Sequence, residues 1–373
     1  MRAPSLLLGL ALLAAGGACA PVYGDAFLAS FAAGERALHA GRYDEAARAY
    51  DDAAAKALRV KDRDEARFLQ ARSYGKAGRW EDERATYQRL AAESPTGPRG
   101  PRAAFELANL EIDHGDVEKG YAMLVAAAIR FPQNGVARPT VRRVVAHIVE
   151  QRGEPAARAW LADHAAAFRG TDEDQTIGYE IALSLDREGK KQEAHDALLE
   201  SARAHPYPKG SLTDDALVRA SKIDEELGRW AEAAKHLHDL LATQEVSHGI
   251  AGKYDMASYE RPRFPEAALR LAEIYRDELH DHAAARRAFR DLYREHPSAR
   301  KRDLALWSEA RLALEDGEPR VACALAERLV REFPDSRYTR CARTICPSAP
   351  AAKRECADYV LRAPSDDSEN RED

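Results

Sequence analysis

PRAAFELANLEIDHGDVEKGYAMLVAAAIRFP, from Pro101 to Pro132, holds one complete structural unit. Phe105, Ala108 and Ile112 recur at helical spacing, so they share one face of a first helix. His114-Gly115-Asp116 breaks that helix, with Gly suited to the left-handed position that closes it and Asp116 suited to cap the next. Val117, Tyr121, Leu124 and Ala128 form a second apolar series, and Phe131-Pro132 ends it because proline cannot continue a helix. The stretch therefore reads as helix–turn–helix.

The same unit returns along the chain. Gly41, Gly78, Gly115, Gly153, Gly189 and Gly228 stand 36 to 39 residues apart, and Gly317 resumes the series. Pro95 and Pro132, then Pro297 and Pro334, keep the same interval of 37. A fixed period in this range marks a stacked repeat. Five residues after the turn Gly comes a small residue (Ala46, Ala194, Ala233, Ala322), and nine after it a larger one (Tyr50, Tyr87, Leu124, Leu198, Leu237). Seven before it sits another small residue: Gly34, Ala71, Ala108, Ala182, Ser221 or Ala310. Small side chains at these places let the two helices of a unit approach closely.

These positions are the ones that define tetratricopeptide repeats, and the chain resembles that family from about Phe27 to Cys346. Glu83 and Gly120 depart from its usual small Ala, and Pro155 disturbs the unit around Gly153. The resemblance implies an all-α solenoid of about eight helix–turn–helix repeats of period ~37, closed by a small disulfide-stapled C-terminal cap. It also implies a non-enzymatic protein–protein interaction scaffold whose first helices line a concave face. In style the units are similar to those of periplasmic and outer-membrane tetratricopeptide lipoproteins of Gram-negative bacteria, such as the Tol–Pal accessory protein and the BamD-type assembly lipoprotein.

The ends of the chain carry signals of their own. Arg2, the apolar run Leu6 to Ala15 and the small exit Gly16-Gly17-Ala18-Cys19 read as an export signal over residues 1–19, followed by a linker over 20–26. The run is too short to span a bilayer, which needs about 20 residues. Cleavage before Cys19 makes a lipoprotein acylated there, although Gly16 replaces the usual Leu. Cleavage after Ala20 makes an ordinary secreted protein with Pro21 first. An uncleaved anchor is the third reading. The expected location is the periplasm, anchored at the outer membrane; the alternative is a cytoplasmic-type adaptor with an uncleaved N-terminus.

Cys323, Cys341, Cys346 and Cys356 crowd the last 51 residues, and an even set in an exported chain reads as disulfides. Three pairings are open, of which we favour Cys323–Cys341 with Cys346–Cys356, within a helical cap over 341–363. Residues 364–373 form an acidic tail of disordered composition.

Two features are candidates for a partner surface. Phe31, Phe68, Phe105, Tyr179 and Trp307 each precede a turn Gly by ten residues, on the first helix of their units. They read either as an aromatic ladder for a peptide or as packing between repeats. The interval from Gly228 to the turn near His280 is longer than one period, and the excess falls in residues 243–264, between repeats over 27–242 and 265–340. Tyr254, Tyr259 and Arg261 give that insertion an adhesive composition; the other reading is a loop without a role.

Chemistry-bearing motifs are sparse. The net charge of −6 is small and both signs are interspersed, which excludes a nucleic-acid footprint. No Gly-rich phosphate loop, G-x-S-x-G or H-E-x-x-H motif is present. His236 and His238 lie two apart on a helix and point to different faces, while His280 and His282 fall at a turn. The expectation is no catalytic residue, no metal, no cofactor and no small-molecule substrate. The rival class is a peptidoglycan-processing enzyme, for which repeats, insertion and cap leave no room.

Overall fold

The computed structural model describes residues 24–207, 210–243, 263–352 and 354–361. The export signal, Cys19, the residues Tyr254, Tyr259 and Arg261, and the acidic tail lie outside the described residues. The described chain is all-helical, and its first sixteen helices follow one another two by two: α1 (Asp25–His39) then α2 (Tyr43–Lys56), α3 (Val60–Lys76) then α4 (Trp80–Glu93), α5 (Gly100–His114) then α6 (Val117–Arg130), α7 (Ala137–Arg152) then α8 (Glu154–Phe168), α9 (Asp172–Arg187) then α10 (Lys191–Ala204), α11 (Thr213–Glu226) then α12 (Trp230–Ala242), α13 (Arg263–Glu273) then α14 (His282–Glu295), and α15 (Arg302–Glu315) then α16 (Pro319–Glu332), the two members packing together in every case but α7 and α8. A 3₁₀ turn (Thr339–Cys341) and two short helices, α17 (Ala342–Ile345) and α18 (Asp358–Leu361), follow. Two compact units divide within α7, after Thr140. Among the described residues no helix is long and apolar enough to cross a membrane.

The turn glycines work as their spacing predicts, with one exception. Gly41, Gly78, Gly153, Gly189, Gly228 and Gly317 all take positive φ, between 70° and 80°. Around most of them the following N–H returns to the carbonyl five residues back, as in Arg229 N–H to Asp224 O at 2.8 Å and Glu318 N–H to Ala313 O at 2.9 Å. This closure satisfies carbonyls that the helix end leaves open. Gly115 is the exception, with φ −142°. There the turn is made by Asp116, whose side chain accepts from Lys119 N–H at 2.9 Å and caps α6.

After the insertion the turn is built differently. The helix α13 runs on into a π-helical turn, Ile274–Glu278, and His280 takes the left-handed position with φ 52°. Asp281 N–H then reaches Tyr275 O, six residues back, at 2.8 Å. Residues 263 and 264, counted with the insertion from sequence, belong to α13, where Phe264 is fully buried.

The small and large positions of the repeat form the core. Ala46, Ala71, Ala108, Ala182, Ala194, Ala233, Ala310 and Ala322 are all inaccessible, as are Tyr50 and Leu198. At Gly34 an added Cβ would lie 2.7 Å from the Tyr50 ring, so glycine there is a matter of space. In the second unit one apolar cluster runs from Ala182 to Leu312, built largely from Ala, Leu and Phe of successive helices. Neighbouring pairs are also tied by polar contacts near the repeat spacing, such as Arg219 on α11 to Asp186 on α9 and Ser336 to Asp303 at 2.7 Å.

The cap closes the last pair. Tyr338, Cys341, Ala342, Ile345, Cys346 and Val360 cover Leu306, Trp307 and Ala310 of α15. Its disulfides are Cys323–Cys346 and Cys341–Cys356, with Cα atoms 4.6 and 4.7 Å apart, which corrects the pairing favoured from sequence. The physical reason is the short helix between the two middle cysteines. Five residues at ~100° each set Cys341 and Cys346 on different sides of it. Cys346 meets α16 and Cys341 meets the chain end.

Candidate functional site

The aromatic series does not form an exposed ladder. Phe68, Phe105 and Trp307 are only 5 %, 0 % and 3 % exposed. Phe31 is half-buried, with its ring 5.3 Å from that of Phe27 and 5.5 Å from that of Tyr50. Tyr179 is half-buried beneath Arg142, whose guanidinium carbon is 5.8 Å from the ring centre, and burial pushes its hydroxyl up to about 12. Trp307 stacks on Tyr338 of the cap at 5.9 Å. The ladder reading of these five residues is therefore corrected to packing. Each sits on the first helix of its pair, and for all but Phe31 on α1 that helix packs against a neighbour on either side.

An open cleft of about 680 Å³ lies in the first unit, on the face made by α3 and α5, with α4 as its floor. Phe68 is the member of the aromatic series that borders it. One wall is organised by Arg99, which donates Nη2–H to Glu65 Oε1 at 2.8 Å and lies 4.9 Å over the Phe68 ring. Phe68 in turn packs against Tyr87 at 5.5 Å. On α5, Arg102 and Asn109 both donate to Glu106, at 2.6 and 3.2 Å. These pairs hold their side chains in place and use up their charge.

Glu83 is different. It occupies the small-residue position of its repeat, and Gly75 on α3 makes the room: a Cβ there would collide with the Glu83 carboxylate. No hydrogen bond or ion pair holds that carboxylate among the described residues. Burial, with the negative charges of Glu106 and Asp113, pushes it up to about 7, against an opposing pull from Arg72. The cleft thus contains one half-buried carboxylate without a committed partner. That is an arrangement suited to accept a hydrogen-bond donor or a cation.

The shift has a measurable consequence. Folded Glu83 keeps its proton up to about 7, whereas an unfolded carboxyl loses it near 4.5. The folded state therefore binds more protons between those values, and stability falls as pH rises through that window. Glu83→Gln is expected to stabilise the first unit at pH 8 relative to pH 4.5. The gain is about 1–2 kcal/mol after allowance for the solvent-facing half of the group. Urea midpoints of both proteins at the two pH values check this, and an equal gap at both contradicts the assigned environment.

The sequence singled out Glu83 only as a departure from a repeat pattern, and Arg72 and Glu106 not at all. A second cluster was also missed: His236 lies beside His195 and Asp224, on three different helices of the second unit.

Comparison with known proteins agrees with this architecture. The tetratricopeptide repeat family model matches residues 65–97 and 266–299. Two stretches of the chain are therefore similar to tetratricopeptide repeats. The first match covers most of α3, all of α4 and the turn beyond, including Glu83. The second covers α13 and α14.

Among solved structures, this chain is similar to the C-terminal part of a repeat-containing protein from Cytophaga hutchinsonii, at 14% identity and TM-score 0.41, over 74% of this chain and 99% of that one. It is also similar to PilF of Pseudomonas aeruginosa (16%, TM-score 0.35, covering 65% and 96%). A third is a signal-transduction ATPase with a tetratricopeptide sensor from Pyrococcus horikoshii (14%, TM-score 0.43, covering 84% and 48%). No curated protein matches the sequence. At these identities the likenesses say nothing of partners.

Proposed function

We propose that this chain is a non-enzymatic scaffold of the cell envelope that docks a protein or peptide in the cleft of its first unit. The observation that carries this reading is Glu83, a carboxylate placed in a repeat position normally filled by Ala and left without a partner inside an open cleft. A cationic side chain of the docked segment would restore its charge, while Phe68 and Tyr87, packed together beneath the cleft, keep its base rigid. Tetratricopeptide repeats support the docking role, because each repeat contacts only its neighbours and leaves a long face free. The export signal and Cys19 support delivery to the periplasm and a lipid anchor at the outer membrane. The insertion, with Tyr254, Tyr259 and Arg261, is proposed as a second contact on the strength of its composition alone.

Crosslinked capture from cell envelopes tests the reading, with wild type compared with Glu83→Arg. The charge reversal is expected to lose the partner while the protein stays folded. Mass spectrometry of the same preparation is expected to find an acylated N-terminus at Cys19. An intact Met1 with reduced downstream cysteines would overturn the export half of the proposal and leave the docking half standing.

A further inference from the structure

We propose that His195, His236 and Asp224 form a binding site for a divalent transition metal, with Zn²⁺ the best match, that clamps three successive helices of the second unit. His195 comes from α10, Asp224 from α11 and His236 from α12. Both imidazole Nε2 atoms face the same carboxylate oxygen: His195 Nε2 lies 3.2 Å from Asp224 Oδ2, and His236 Nε2 lies 3.3 Å from it. Ligand atoms bound tetrahedrally to zinc at about 2.0–2.2 Å are separated by roughly 3.3 Å. The two nitrogen–oxygen separations already have that value, and all three ligand atoms lie within 4.8 Å of one another. The donor set of two imidazoles and a carboxylate suits zinc, and a fourth position is left for water.

The surroundings orient the three ligands. His195 presents its other nitrogen, Nδ1, to Asp196 Oδ1 at 3.2 Å. A neutral ring has one N–H and two carboxylates to face. Metal on Nε2 with the N–H on Nδ1 satisfies both, the arrangement in which a carboxylate fixes a metal-bound histidine. Asp224 turns its second oxygen toward Arg229 Nη2 at 2.6 Å, and Arg229 also donates to Gln192 at 2.6 Å, which leaves Oδ2 as the oxygen aimed at the histidines. The competing account is a closed hydrogen-bonded cluster that takes no metal, and it makes opposite predictions.

The experiment uses full-length, untagged protein with its disulfides intact, stripped with chelator and titrated with Co²⁺. Wild type is expected to develop the visible absorption of tetrahedral cobalt at one metal per chain, and Zn²⁺ is expected to bleach it. A His195→Gln/His236→Gln double variant is expected to lose the signal. Asp196 is exposed, so Asp196→Asn leaves folding intact; it is expected to weaken binding about 10–100-fold through the lost orienting contact. No cobalt absorption in folded wild type would overturn the site, as would absorption that persists in the double variant or unchanged affinity in Asp196→Asn.

Discussion

Replacing Phe105 by Ala is expected to destabilise the first unit by about 3–5 kcal/mol, the range for truncating a buried aromatic. Phe105 is fully inaccessible on α5, in the same helix as Ala103 and Ala108, which are inaccessible too. Truncation removes its burial and leaves a cavity that close-packed alanines cannot fill by shifting. Leu58→Ala is the control, because Leu58 is 70 % exposed and is expected to change stability by less than about 0.5 kcal/mol. Urea unfolding followed by helical signal checks both. Repeats exchange energy only with neighbours, so the loss is expected as an early transition of the first unit. A Phe105→Ala protein of unchanged midpoint that fails to hold a partner would restore the ladder reading.

Removing both disulfides is expected to have an effect of similar size. The bridges close loops of 23 and 15 residues, and on the chain-entropy model each contributes about 3 kcal/mol. Their loss acts on the cap, which covers Leu306, Trp307 and Ala310 at the open end of the second unit. A fourfold Cys→Ser variant is therefore expected to unfold α15, α16 and the cap at lower temperature, with new protease cleavage there. The effect on the cleft of the first unit should be small. Peptide mapping without reduction is expected to recover Cys323 with Cys346 and Cys341 with Cys356. Recovery of Cys323 with Cys341 would contradict the arrangement of α17.

Much of this architecture was legible in the sequence because a repeat states each rule several times. The turn glycines announced the helix ends, since six of them occupy a backbone conformation that other residues avoid. Gly115 escaped because Asp116 supplies a capping side chain, and the turn no longer needs the left-handed residue. Periodicity could not separate a ladder from a core. A residue ten before the turn lies on a helix flanked by two neighbours, and the same spacing serves either purpose.

The functional candidates were harder for a related reason. Glu83 could be seen as an exception, but its compensation at Gly75 lies on the preceding helix and is meaningful only once the two pack together. His195, Asp224 and His236 are separated by 29 and 12 positions and meet through the alignment of three helices. Of the neighbouring His236 and His238, only His236 joins the cluster, while His238 is exposed. The cysteine pairing turned on one short helix that spacing does not reveal.

A docking role requires that the cleft around Glu83 hold a partner. Crosslinked capture from intact envelopes should compare wild type, Glu83→Arg and Glu81→Arg, the last placing the same charge reversal on an exposed position of α4 outside the cleft. The expected result is a partner retained by wild type and Glu81→Arg and lost at least tenfold by Glu83→Arg, with the crosslink mapped to a basic segment of that partner. Equal capture by all three folded proteins would contradict it.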